Sequence, residues 1–91
     1  MDRARIIDRI REIASSRKNV RFSELESLLD NHIKYLFPNY NHHGGRHHAF
    51  TVGQSTFTIP EPQRGNVKKK YVDQFLDAMQ AEGLWDPGEG S

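Results

Sequence analysis

Gly44-Gly45-Arg46-His47-His48-Ala49-Phe50-Thr51-Val52 is the stretch on which the reading of this chain turns. Two glycines open it, two histidines follow, and polar and apolar positions then alternate. An alternation of period two is the mark of a half-buried β-strand, so a strand is expected from Arg46 to Val52. Successive side chains on a strand point to opposite faces. His48, Phe50 and Val52 therefore share one face, and His47, Ala49 and Thr51 share the other. Phe50 and Val52 are core residues, so His48 leans inward and His47 faces out. An outward imidazole at the mouth of a strand is well placed to act as a general acid or base.

Working outward, Gly53-Gln54 or Gln54-Ser55 makes a tight turn, and Ser55 to Ile59 is the return strand of a hairpin. Phe57 and Ile59 share a face there, and Pro60-Glu61-Pro62 ends the strand. Upstream, Ile33 to Phe37 is a short apolar run with Tyr35 and Phe37, closed by Pro38. Its aromatic and branched residues predict a first strand. The intervening Asn39 to Gly45 reads as a polar loop, with His42 and His43 solvated.

Helices flank this region. Ile6, Ile7, Ile10 and Ile13 recur at helical spacing within residues 2 to 16, with Asp2 as N-cap. A second helix is expected from Ser23, where Ser23-Glu24-Leu25-Glu26 fits a capping box and Leu25, Leu28 and Leu29 form the buried stripe. The last helix runs from about Val67 or Lys68 to Glu82 on Val72, Phe75, Leu76 and Met79. Gly83 suits its C-terminal stop, with Leu84 and Trp85 folding back. The element order is α-α-β-β-β-α. The expected fold class is α+β: a three-stranded antiparallel sheet with helices packed on one face. Residues 1–19 form an additional N-terminal helix and linker, 20–85 the main domain, and 86–91 a loose tail.

The chain has 91 residues, which suits a single domain with a compact core. Five Phe, three Tyr and one Trp are enough to pack one. Without cysteine there is no disulfide scaffold and no thiolate zinc site. No apolar run approaches a membrane span, and the Arg-rich start lacks the apolar stretch of a secretory signal. A soluble, cytoplasmic protein is expected. Formal net charge is only +1, but its distribution is uneven. From His42 to Lys70 the bases are Arg46, Arg64, Lys68, Lys69 and Lys70, against the single acid Glu61. A basic centre beside histidines suits a polyanion.

His42, His43, His47 and His48 invite a metal reading. Their stretch contains neither cysteine nor carboxylate, and His47 and His48 point apart, so neither metal nor cofactor is expected. RNA chemistry fits the same residues. Cleavage needs no metal if a base takes the 2′-hydroxyl proton and cations stabilise the charge on phosphorus. His47 would work between Arg46 on its own strand and Lys68, Lys69 or Lys70 across the fold. Those lysines open a helix whose free N–H groups also suit phosphate.

Phe22-Ser23-Glu24-Leu25, Gly45-Arg46-His47-His48-Ala49-Phe50, Phe57-Thr58-Ile59-Pro60-Glu61-Pro62 and the lysine-led last helix together resemble the HicA toxin family. Its members are small mRNA-cleaving toxins of prokaryotic toxin–antitoxin pairs with a dsRBD-like α-β-β-β-α fold. The resemblance covers roughly Val20 to Leu84. It implies an endoribonuclease, with His47 at the position of the family's catalytic histidine and a HicB-like antitoxin as protein partner. Arg46, His48 and Lys68 to Lys70 would contact RNA; the alternatives are a non-catalytic RNA-binding module of the same fold and a domain that docks a partner through its first helix. The chain departs from the pattern in three places. Arg46 stands where the family has serine, the loop before it is long and His-rich, and the helix from Asp2 to Ser16 is additional.

Overall fold

The computed structural model describes residues 1–88. In chain order the elements are α1 (Arg3–Ser15), α2 (Phe22–Asn31), a 3-10 turn (Ile33–Leu36), β1 (Asn41–His43), β2 (His47–Val52), β3 (Ser55–Pro60) and α3 (Lys69–Ala81). The three strands form one antiparallel sheet in the order β1-β2-β3. The α+β class expected from the sequence is the one observed.

Alternation along β2 and β3 builds the core. Phe50, Val52, Phe57 and Ile59 are buried on one face of the sheet. Phe57 meets Phe75 of α3 edge-on at 6.0 Å between ring centroids. Leu25, Leu28 and Leu29 of α2 and Val72, Leu76 and Met79 of α3 close the same cluster. Ile6, Ile10 and Ile13 of α1 are also buried in it, so α1 is part of the core. The opposite face of the sheet carries His43, His47, Thr56 and Thr58, all exposed.

The hairpin turns as expected. Val52 pairs with Ser55, and Gly53 takes the positive φ that a two-residue loop requires. Glu82, one residue past α3, accepts from the Ser55 hydroxyl at 2.7 Å and from the Gln54 N–H at 3.3 Å. The C-terminal end of α3 is thereby tied to the hairpin. Gly83 ends the helix in a Schellman motif, its own N–H bonding Gln80 O and that of Leu84 bonding Met79 O.

Three local expectations are corrected. Ile33 to Phe37 is not a strand: Ile33–Leu36 forms a 3-10 turn continuing from α2. Only Ile33 of that turn is fully buried, and Tyr35 is 77% exposed, so the run lacks a continuous apolar face. The first strand is instead Asn41–His43, inside the stretch expected to be loop; β2 supplies its ladder of partners. Finally, α2 starts one residue early because Phe22 enters the core. Its N-cap is Arg21, whose N–H is accepted by the Glu24 carboxylate, which leaves Glu26 free of capping. The tail expected from Asp86 is described to Gly88, whose N–H bonds the Asp86 carboxylate. Residues 89–91 of that expected tail lie outside the described residues.

Two outcomes follow for stability. Replacing Ile10 by Ala removes a fully buried side chain and should cost about 2–5 kcal/mol in urea unfolding, as for a core residue. Asp73 accepts from Lys69 at 2.9 Å and Arg17 at 2.8 Å, and these bonds, that of Lys69 foremost, hold its carboxyl below the usual range. A depressed carboxyl stabilises the fold above its unfolded value and loses that contribution as pH falls through the folded one. Asp73→Asn should therefore unfold more easily than the native chain at neutral pH. The gap should close in acid, read as two melting curves converging.

Candidate functional site

The two neighbouring histidines of β2 lie on opposite faces, as the alternation requires. His47 opens the strand on the uncovered side and is exposed. Among the described residues its side chain takes part in no hydrogen bond, ion pair or ring contact. Arg46, also exposed, precedes it, and the Arg46 carbonyl accepts the Glu61 N–H at 3.0 Å, extending the β2–β3 ladder by one bond.

The lysines stand at the same end of the sheet but behind it. The C-terminal end of α3 is fixed to the hairpin. A 13-residue helix and a six-residue strand have similar lengths, both about 20 Å. The N-terminus of α3 consequently returns to the end where His47 pairs with Pro60. A 2.8 Å bond from Val67 N–H to Val20 O anchors that end. Lys68 occupies the N-cap without a side-chain cap bond, Lys69 is paired with Asp73, and Lys70 lies 5.1 Å over the Tyr71 ring. The structure thus joins Arg46 and His47 directly and brings Lys68 to Lys70 to their end of the fold, with the sheet between.

His48 belongs to a different assembly on the covered face. It is 8% exposed, and its ring lies 4.5 Å from that of Phe22. Its Nδ1 faces Nε2 of His42 at 2.8 Å. His42 comes from β1 opposite Phe50, stacks on that ring at 4.2 Å, and presents Nδ1 to the Asp30 carboxylate at 2.9 Å. Asp30 also accepts from the Tyr40 hydroxyl at 2.6 Å. Burial first, then the bond to Asp30, raises the Tyr40 pKa far above its usual value, so the phenol stays a donor at any working pH. Glu26 lies one helical turn before Asp30 on α2, and a carboxylate oxygen of Glu26 and a ring nitrogen of each histidine all lie within 4.8 Å of one another.

His42, read from sequence as a solvated loop residue, is therefore a strand residue in a polar cluster. The sequence reading assigns Glu26 only a capping role and Asp30 none. The available signal was their i,i+4 spacing on α2, which places two carboxylates on one face. Nothing local says that this face meets the histidines, because the encounter is long-range.

Compared with protein-family models, curated proteins and solved structures, the chain matches none.

Asp30→Ala should cost about 1.5–3 kcal/mol, because it strips a charged acceptor from the Tyr40 hydroxyl and from His42. His47→Ala should change stability by less than about 0.5 kcal/mol, as an exposed residue without partners. Urea denaturation of the two variants beside the native chain measures both.

Proposed function

We propose that the protein is a metal-independent endoribonuclease that cleaves mRNA, with His47 as the catalytic residue, and that it acts as the toxin of a toxin–antitoxin pair. The observation that carries this reading is the position of His47. It is an exposed imidazole, without partners among the described residues, at the start of a strand, beside Arg46, on the sheet face where His43, Thr56 and Thr58 are exposed as well. The resemblance of Gly45 to Phe50 and Phe57 to Pro62 to the HicA pattern supports it.

In this reading the RNA supplies its own nucleophile. His47 takes the proton of a 2′-hydroxyl, and the 2′-oxygen attacks the adjacent phosphorus. The bond from phosphorus to the 5′-oxygen breaks, that oxygen takes a proton from water, and the hydroxide left behind is neutralised by the proton His47 holds. The products are a 2′,3′-cyclic phosphate and a free 5′-hydroxyl. Arg46 neutralises the charge that builds on the phosphoryl oxygens. Lys68 and Lys70 hold neighbouring phosphates, and Lys69 joins them by exchanging its bond to Asp73. His48 has no surface to offer RNA from the covered face, and its contribution is to the packing of β2.

A HicB-like antitoxin would be the protein partner, and the open face of the sheet is the surface it would cover. No helix among the described residues is long and apolar enough to cross a membrane. A cytoplasmic location accords with an mRNA substrate.

The test is incubation of the purified protein with mixed RNA in EDTA, native chain beside His47→Ala. Cleavage by the native chain and a loss of about 10²–10⁴-fold in the variant is the expected result. Cleavage by neither points to a non-catalytic RNA-binding module on the same fold, identified by RNA affinity that falls steeply with salt. Equal cleavage by both would remove His47 from the chemistry.

A further inference from the structure

We propose that Glu26, His42 and His48 form a binding site for one divalent transition metal ion, zinc by the character of its donors, on the helix-covered face of the sheet. Two features of the cluster point to a metal.

The first is the donor set. One carboxylate oxygen and two imidazole nitrogens from α2, β1 and β2 lie within 4.8 Å of each other. Two histidines and a carboxylate make a set typical of zinc with a fourth position left for water.

The second is the outer support. A metal-binding histidine commonly donates its other ring N–H to a carboxylate, which fixes the tautomer and orients the ring. Asp30 does this for His42, with both carboxylate oxygens within 3.0 Å of Nδ1. Asp30 is itself positioned by the Tyr40 hydroxyl. Glu61 Oε1 stands 3.4 Å from Nε2 of His48 on the far side of that ring. A carboxylate thus faces the outer nitrogen of each ring. If both outer nitrogens carry a hydrogen, the two inner ones present lone pairs to each other. A proton or a metal ion between them resolves that opposition.

At the two rings the required rearrangement is small, and the Glu26 carboxylate must close in from within 4.8 Å. Two nitrogens on tetrahedral zinc at 2.0–2.1 Å stand about 3.3 Å apart. The rings, now 2.8 Å apart at these atoms, would separate by about half an ångström. The bound ion would tie α2 to β1, a strand of only three residues at the sheet edge, and to β2. It stands on the opposite side of the sheet from His47, so it takes no part in the proposed cleavage.

The full chain, stripped with EDTA and dialysed, is titrated with Zn²⁺ by calorimetry and with Co²⁺ by visible absorption, and its melting is followed with and without Zn²⁺. One equivalent should bind, Co²⁺ should develop tetrahedral d–d bands, and Zn²⁺ should raise the melting temperature. His42→Gln and Glu26→Gln should each weaken binding at least tenfold, and Asp30→Asn by about 10–100-fold. The double variant His43→Gln with His47→Gln should bind as the native chain does. Should a ligand variant fail to fold, the Co²⁺ spectrum of the native chain and that double variant decide. Absence of binding by the native chain overturns the proposal. So does binding that survives His42→Gln or disappears in the double variant, since either would mark an adventitious site among surface histidines.

Discussion

A row of aromatic rings crosses the sheet and binds its parts together. His42 stacks on Phe50 at 4.2 Å, Phe50 on Phe57 at 5.5 Å, and Phe57 meets Phe75 at 6.0 Å. These four residues come from β1, β2, β3 and α3. Ring pairs at such separations contribute beyond the area they bury, and the three at Phe50, Phe57 and Phe75 lie in the core. Because Phe50 must face inward, the pleat leaves His48 inward and His47 outward. A register slip of one residue would exchange the two histidines and expose the core at the same time. Packing therefore enforces the orientation of the exposed imidazole, although that imidazole packs against nothing.

The parts of the fold legible in the sequence are those with strong local periodicity. α1, α2, α3 and the β2–β3 hairpin each carry an apolar stripe at the spacing of their own geometry, and the Gly53 and Gly83 turns follow from backbone freedom. Ile33 to Phe37 misled because branched and aromatic composition is a statement about half-buried surfaces, not about backbone. Here only Ile33 is fully buried, and the chain continues from α2 as a 3-10 turn. β1 escaped notice for the converse reason. Asn41, His42 and His43 have no apolar alternation, and what makes them a strand is the edge of β2.

The same distinction governs the candidate sites. His47 is visible because its strand is visible, and a residue that faces solvent can be read from its own neighbours. The Tyr40–Asp30–His42–His48 chain is invisible for the opposite reason. Its members span α2, the segment before β1, β1 and β2, and each looks like an ordinary polar residue. Reading Glu26 as the partner of Ser23 in a capping box concealed it further. Once Phe22 is drawn into the core, the helix start moves to Arg21 and Glu24 takes the capping role. A single core aromatic thus decides which glutamate caps α2 and which one meets the histidines.

The sheet divides the chain's chemistry into two sides with different requirements. On the open side, His47 and Arg46 are exposed to solvent. On the covered side, five titratable groups (Glu26, Asp30, Tyr40, His42 and His48) crowd together, and each buried polar atom there needs a partner. Lys68 to Lys70 stand between these regimes, at the His47 end of the fold but on the helix that covers the other face. A phosphate chain in contact with both His47 and the lysines must pass round the end of β2 and β3, where Arg46 lies. Arg46 would then be the hinge point of the path, touching the backbone whichever way the strand enters. An arginine suits that position, because its long planar head can follow a phosphate through several approaches.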